Sequence, residues 1–201
     1  MRRVFAAVSL LSLAACSHTP PTAASPHVIL ETELGAIEIE VNLDKAPLSG
    51  TDFLHYVDKG LYDQQGFYRT VRADNDPRNM GMSLIQGGRL DGEPVTELLP
   101  HEPTNLSGLS NTEGSISIAR GEPGTGSAAF FFINIGDNSF LDHGGIRNPD
   151  GQGYTVFGHV VSGMDTVKTI QAREAKGHSE SKATANQYLT APVIIKKAYR
   201  K

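Results

Sequence analysis

Two short apolar words carry the side chains best suited to chemistry. Phe67-Tyr68-Arg69 ends on an arginine, and Ile85-Gln86-Gly87-Gly88 sets one amide among apolar and small neighbours. A third word, Phe130-Phe131-Phe132-Ile133-Asn134, supplies an aromatic surface beside which such groups can stand. A guanidinium is charged at every working pH and only donates, whereas a glutamine side chain both donates and accepts. Neither is a nucleophile. Beside apolar walls, the pair suits a ligand that is itself apolar and amide-like.

Other chemistries lose support. Residues 124–129 (GTGSAA) loosely match a dinucleotide fingerprint but precede a predicted strand, so a phosphate would meet no helix N-terminus. Asn148-Pro149-Asp150-Gly151 suggests a calcium loop yet lacks the spaced acidic ligands and closing glutamate. There is no G-x-S-x-G elbow. His27, His55, His101, His143, His159 and His178 show no metal-ligand spacing. Neither metal nor cofactor is expected.

The elements that must position Arg69 and Gln86 follow from periodicity. Val28, Leu30, Thr32 and Leu34 alternate with Ile29, Glu31 and Glu33; Ile37, Ile39, Val41 and Leu43 alternate with Glu38, Glu40 and Asn42. This period of two around Gly35 predicts a hairpin with one wet face. Pro47 near a start, Gly60 near an end, and a stripe of Phe53, Tyr56, Val57 and Leu61 predict an amphipathic helix. Further strands are expected at 66–71, 83–87, 115–120, 130–135, 155–161 and 192–199. A second helix is expected at 164–175 with Val167 and Ile170 inward. About eight strands, two helices and no internal repeat suit a closed antiparallel barrel, with helices over its open ends. Residues 72–82 and 176–190 are polar and read as inserted surface loops.

The N-terminus belongs to targeting rather than to the fold. Arg2 and Arg3 precede an apolar run at 4–13, and Leu13-Ala14-Ala15 leads into Cys16, the only cysteine. The run is shorter than the ~20 residues a membrane span needs. It predicts a signal peptide at 1–15 and a bacterial lipobox that makes Cys16 the lipidated terminus. A tether at 16–26 (CSHTPPTAASP) precedes one domain at 27–201. Ser17 to Pro26, ten residues, can reach at most ~33–36 Å. The mature chain carries 16 basic against 22 acidic side chains, a net of −6, which argues against nucleic acid. The expected place is the bacterial envelope, lipid-anchored and facing the periplasm, with Ser17 favouring the outer membrane. The sequon Asn105-Leu106-Ser107 carries no weight in that setting.

The order of words then carries a resemblance. FYR (67–69), IQGG (85–88), SIA (117–119), FFIN (131–134), FLD (140–142), YTVFGHV (154–160) and GMD (163–165) together resemble the cyclophilins. The likeness runs from about His27 to Tyr199 and is strongest to bacterial peptidyl-prolyl isomerases of the envelope. It implies a closed eight-stranded antiparallel barrel capped by two helices, with the active site on its outer surface. It implies a catalytic role for Arg69, and for Gln86 the positioning of that arginine and contact with the substrate backbone. Leu84, Phe132 and Leu141 fall at proline-pocket positions, and Ala119 and Arg120 in a segment that binds substrate through its backbone. Phe140 replaces a tryptophan and Tyr154 a histidine of eukaryotic members. The implied partners are proline-containing polypeptide clients and, through lipid on Cys16, a membrane; the domain is expected to act as a monomer.

Two positions depart from the family's pattern. Phe130 stands where a substrate-bonding glutamine is usual, and Ser83 where a phenylalanine walls the proline pocket. Flexible, polarisable Met80 or Met82 is expected to fold in and replace that ring. These departures keep a second reading open, a barrel that grips proline segments with weak or no turnover. A third, an envelope lipoprotein without a ligand, requires the words to be remnants.

Overall fold

The computed structural model describes residues 24–201. Cys16 and the signal segment lie outside the described residues, as does most of the tether. Pro26 closes that tether by accepting from the Val41 amide at 2.8 Å.

The expected hairpin forms from β1 (His27–Thr32) and β2 (Gly35–Val41), paired Thr32 to Gly35 around a two-residue turn. Val28, Leu30, Ile37, Ile39 and Val41 point inward and are fully buried. The remaining strands are β3 (Gly66–Val71), β4 (Leu84–Gly88), β5 (Ser115–Ile118), β6 (Phe130–Asn134), β7 (Val156–Ser162) and β8 (Tyr188–Arg200). They close in the order β1-β2-β7-β5-β6-β4-β3-β8, every pairing antiparallel. Closure leaves no open sheet edge. Helices α1 (Pro47–Asp58) and α3 (Met164–Gln171) bury Phe53, Tyr56, Val57, Val167 and Ile170 in the barrel core. A single turn, α2 (Thr104–Ser107), adds to the two expected helices. From the same loop, the Glu102 carboxylate accepts from the Leu48 and Ser49 amides at 3.0 and 2.8 Å. It thereby satisfies donors that the first turn of α1 leaves free.

The interior is aromatic. Phe131 stands edge-on to Phe53, Tyr62 and Phe67 with ring centroids 5.5–5.8 Å apart, a geometry the ring quadrupoles favour. Tyr62 is fully buried and donates to the Ala128 carbonyl, and burial pushes its phenol pKa well up. Gly88 sits at φ +128°, and a Cβ there would meet the Ala129 carbonyl oxygen at 1.9 Å. Only glycine lets β4 approach β6 this closely.

Two irregularities depart from simple alternation. Between Phe67 and Arg69 the β3–β4 register advances two residues against one, Gly87 to Gln86. Tyr68 is therefore the extra residue of a bulge, and it shares the outer face with Arg69. Opposite the same point β8 runs from Val193 back to Tyr188, five residues against two. Pro192, which has no N–H for the ladder, lies in that excursion. β8 thus begins four residues before the expected 192, inside the stretch read as an inserted loop.

Candidate active site

Alternation sends Phe67, Ile85, Phe131 and Ile133 into the barrel, and Leu84, Gln86, Phe130 and Phe132 outward. On that outer face Val71, Met82, Leu84, Phe132 and Leu141 form a second apolar cluster, separate from the core. Beside it opens a cavity of about 370 Å³. Arg69, Gln86, Leu84, Ala119, Arg120, Phe130, Phe132, Leu141 and Tyr154 all line it, so nine of the ten residues singled out from sequence meet there. Phe140 is the exception: it packs against the outer cluster, outside the cavity wall.

The bulge explains how Arg69 and Gln86 meet. They are register partners, and Arg69 Nη1 donates to Gln86 Oε1 at 2.6 Å. Gln86 Nε2 in turn donates to the Tyr68 hydroxyl at 2.8 Å. Both bonds need residues 68 and 69 on one face, which a regular strand forbids. Burial pushes the Tyr68 phenol up to about 12, so it stays protonated and holds the Gln86 amide in one orientation.

A third residue completes the clamp. Gln187 Oε1 accepts from Arg69 Nε at 3.0 Å and Nη2 at 2.6 Å, and Gln187 is fully buried. Its Nε2 donates to the Asn75 carbonyl at 2.9 Å, and its own carbonyl accepts from the Thr70 amide. Asn75 also bonds Thr70 and Asn186. The segments 72–82 and 176–190, read as separate surface loops, therefore meet behind Arg69 and fix it. Nothing in the sequence marked Gln187, because its position depends on the β8 excursion and on no local period.

Three of the five guanidinium N–H groups of Arg69 go to neutral amide oxygens, and no carboxylate among the described residues pairs with it. One N–H on each terminal nitrogen is left for a ligand. Burial draws the Arg69 pKa below its ordinary value; Tyr188 and Tyr68 oppose the shift, and Arg147 adds to it. The group remains a cation at any physiological pH. It is oriented but not neutralised.

Arg120 is the opposite case. Its Nε and Nη2 donate to the Gly153 carbonyl, Nη1 to the Gly121 carbonyl, and the two terminal nitrogens to both Asp150 oxygens. All five donors are spent, its side chain is 2% exposed, and its guanidinium lies 5.3 Å from the Tyr154 ring centroid. The Arg120 side chain braces the 150–153 loop and carries no donor to a ligand. Tyr154 then stands edge-on to Phe132 at 5.3 Å and donates to Asn148 Oδ1.

Met82 fills the wall position in question. It is 4% exposed, belongs to the outer cluster and lines the cavity. The Asp76 carboxylate gathers the amides of Arg78, Met80 and Met82 and so turns the loop inward. Met80 is only half-buried and lies outside the cavity wall. Ser83 faces away, accepting from Gln171 Nε2 of α3 at 2.8 Å. Tyr68, Gly121, Thr125 and Arg147 also line the cavity without having been given site roles from sequence.

The sequence model of the family described as cyclophilin type peptidyl-prolyl cis-trans isomerase/CLD matches residues 27–199. A peptidyl-prolyl cis-trans isomerase A from Dickeya dadantii is 32% identical over 98% of this chain and 96% of its own length. A peptidyl-prolyl cis-trans isomerase B from Escherichia coli is 35% identical over 72% of this chain and 83% of its own. In fold, a cyclophilin from Cryptosporidium parvum superposes with a TM-score of 0.65 at 20% identity, covering 88% of this chain and 98% of the other. A closed barrel of this strand order, matched across its whole span, makes the chain a member of the cyclophilin-type peptidyl-prolyl cis-trans isomerase family.

Proposed function

We propose that this protein accelerates rotation about Xaa-Pro bonds through Arg69, acting as a monomer on proline-containing chains of a bacterial cell envelope. Resonance gives the peptide C–N bond a rotational barrier of ~18–20 kcal/mol, and uncatalysed prolyl isomerisation takes tens to hundreds of seconds. A donor aimed at the prolyl nitrogen localises its lone pair and weakens the partial double bond. An acceleration of about 10⁴ needs only ~5.4 kcal/mol of stabilisation present in the twisted state and absent from the planar one. An oriented, un-neutralised guanidinium next to an apolar wall supplies that kind of term without covalent steps.

The observation that carries this reading is the Arg69 clamp: two neutral amide oxygens hold a cation whose remaining N–H groups are unspent beside the cavity. Leu84, Phe132, Leu141 and Met82 offer the apolar wall for a proline ring. Gln86 contributes orientation of Arg69 and contact with the substrate backbone. The test is exchange NMR on a short Xaa-Pro peptide with wild type and Arg69→Ala. Loss of at least a hundredfold in rate, with unchanged circular dichroism, is expected; near-normal turnover in the variant removes Arg69 from its role.

Phe130 favours a second reading, since an aromatic ring in the cavity wall adds grip without adding a polar contact. Peptide binding without line-broadening exchange would select a binding module over an enzyme. The envelope assignment is supported by the N-terminal pattern around Cys16. Mass spectrometry of the N-terminus from bacterial membranes tests it: diacylglyceryl on Cys16 is expected, and an unmodified cysteine refutes the anchor.

A further inference from the structure

The cavity is one-sided in charge. Its ionised side chains at neutral pH are Arg69, Arg120 and Arg147, and no carboxylate among the described residues lines it. This is local, because the chain as a whole carries a formal net charge of −4. The nearby acids are already engaged: Asp150 with Arg120, Asp142 with Ser110 and Asn111, Asp76 with three backbone amides.

The three arginines differ in what they have left to give. Arg120 has spent every donor, and Arg69 gives three of its five to Gln86 and Gln187 and keeps two. The Arg147 side chain makes no hydrogen bond and no ion pair among the described residues. Its backbone, however, is fixed: the Arg147 carbonyl accepts from Arg78 at 2.8 Å, tying it to the 72–82 loop. The next residue, Asn148, is held by Tyr154. Arg147 is a donor-rich cation on an anchored loop, facing a cavity whose other groups cannot neutralise it.

We propose that the site selects proline segments bearing an acidic side chain next to the proline, with Arg147 as the specificity-determining residue. A carboxylate pairs with a guanidinium in a planar, two-bond geometry, and a cleft lined by one sign of charge concentrates the potential that attracts it. The inference rests on the proposed isomerase reading and adds its substrate class.

The test compares kcat/KM for matched peptides with Glu, Gln or Lys on either side of the proline. Wild type is expected to favour Glu over Gln by roughly two- to fivefold, the range for a partly exposed ion pair, and to handle Lys worse than Gln. The preference should shrink in about 0.5 M salt, where screening shortens to a few ångströms. Arg147→Gln should bring the Glu:Gln ratio close to one, and Arg147→Lys should keep part of it, whatever either does to the neutral peptide. Equal turnover of Glu and Gln peptides by wild type overturns the inference and leaves the isomerase reading intact. A preference that survives in Arg147→Gln overturns it too. If no peptide isomerises, the isomerase reading fails, and the same ratio taken from peptide affinities by NMR titration still decides the inference.

Discussion

Gln187 and Arg69 lie far apart in the chain, yet one amide oxygen of Gln187 accepts two guanidinium bonds at 3.0 and 2.6 Å. The pairing fixes the plane of the guanidinium without cancelling its charge. Gln187→Ala should free that plane and leave two buried donors unmet, costing about 1–3 kcal/mol. Roughly a tenfold fall in kcat with little change in KM is expected in a protease-free peptide assay. Gln187→Glu should do more harm, since a carboxylate would neutralise Arg69.

Met82 closes the apolar wall on a loop held by Asp76. Met82→Ala removes most of a buried side chain and should lower stability by about 2 kcal/mol in urea titrations. Because the space lost borders the cavity, KM for a proline peptide should rise more than kcat falls. Met82→Leu should restore both, and Met80→Ala should change neither.

Tyr68 sets a pH response. Its phenol is raised by burial to about 12 in the fold, against ~10 for an unfolded tyrosine. Between these values the unfolded chain holds fewer protons, so stability falls as pH rises. The contribution is fully present below about pH 10 and lost by about pH 12, on the order of 2–3 kcal/mol. Tyr62, also raised, acts in the same direction. Alkaline urea titrations of Tyr68→Phe should therefore show a shallower decline than wild type. The cavity lining contains no histidine or carboxylate among the described residues, so kcat/KM for a neutral peptide should be flat from about pH 6 to 9.

Arg120→Asn removes all five bonds to Gly121, Asp150 and Gly153. Asp150 stands at the surface and stays solvated, so the loss comes mainly from the Gly153 and Gly121 carbonyls, about 1–2 kcal/mol. Amide exchange should accelerate in residues 147–154 and stay unchanged in β1 and β2. Uniform acceleration across the barrel would mean that Arg120 supports more than this loop.

The barrel was legible because its inner face obeys simple periods. Val28 to Val41 alternates cleanly, and Phe53, Tyr56 and Val57 repeat as a helix does, so burial and pattern coincide. The outer face was legible only where words matched a family: Arg69, Gln86, Phe132 and Leu141 line one cavity. Gln187 did not, because a β8 excursion around Pro192 carries it there, and bulge positions leave no periodic trace. Arg120 lines the cavity, where the resemblance implies contact through its backbone, while its side chain is spent on Gly121, Asp150 and Gly153, partners that no local pattern announces. Met82 and Met80 were equivalent in composition; the Asp76 turn chose between them.

The bulge at Tyr68 has a consequence for length variation. In a closed barrel, deleting one strand residue ordinarily turns every later side chain to the wrong face. Tyr68 is the supernumerary residue between Phe67 and Arg69, so its deletion should restore plain alternation, with Arg69 still outward and still opposite Gln86. A one-residue deletion here is expected to give a folded barrel by circular dichroism, whereas deleting Thr70 should not. β3 would then tolerate a shortening that its neighbours cannot, at the one point where the Tyr68 phenol holds Gln86.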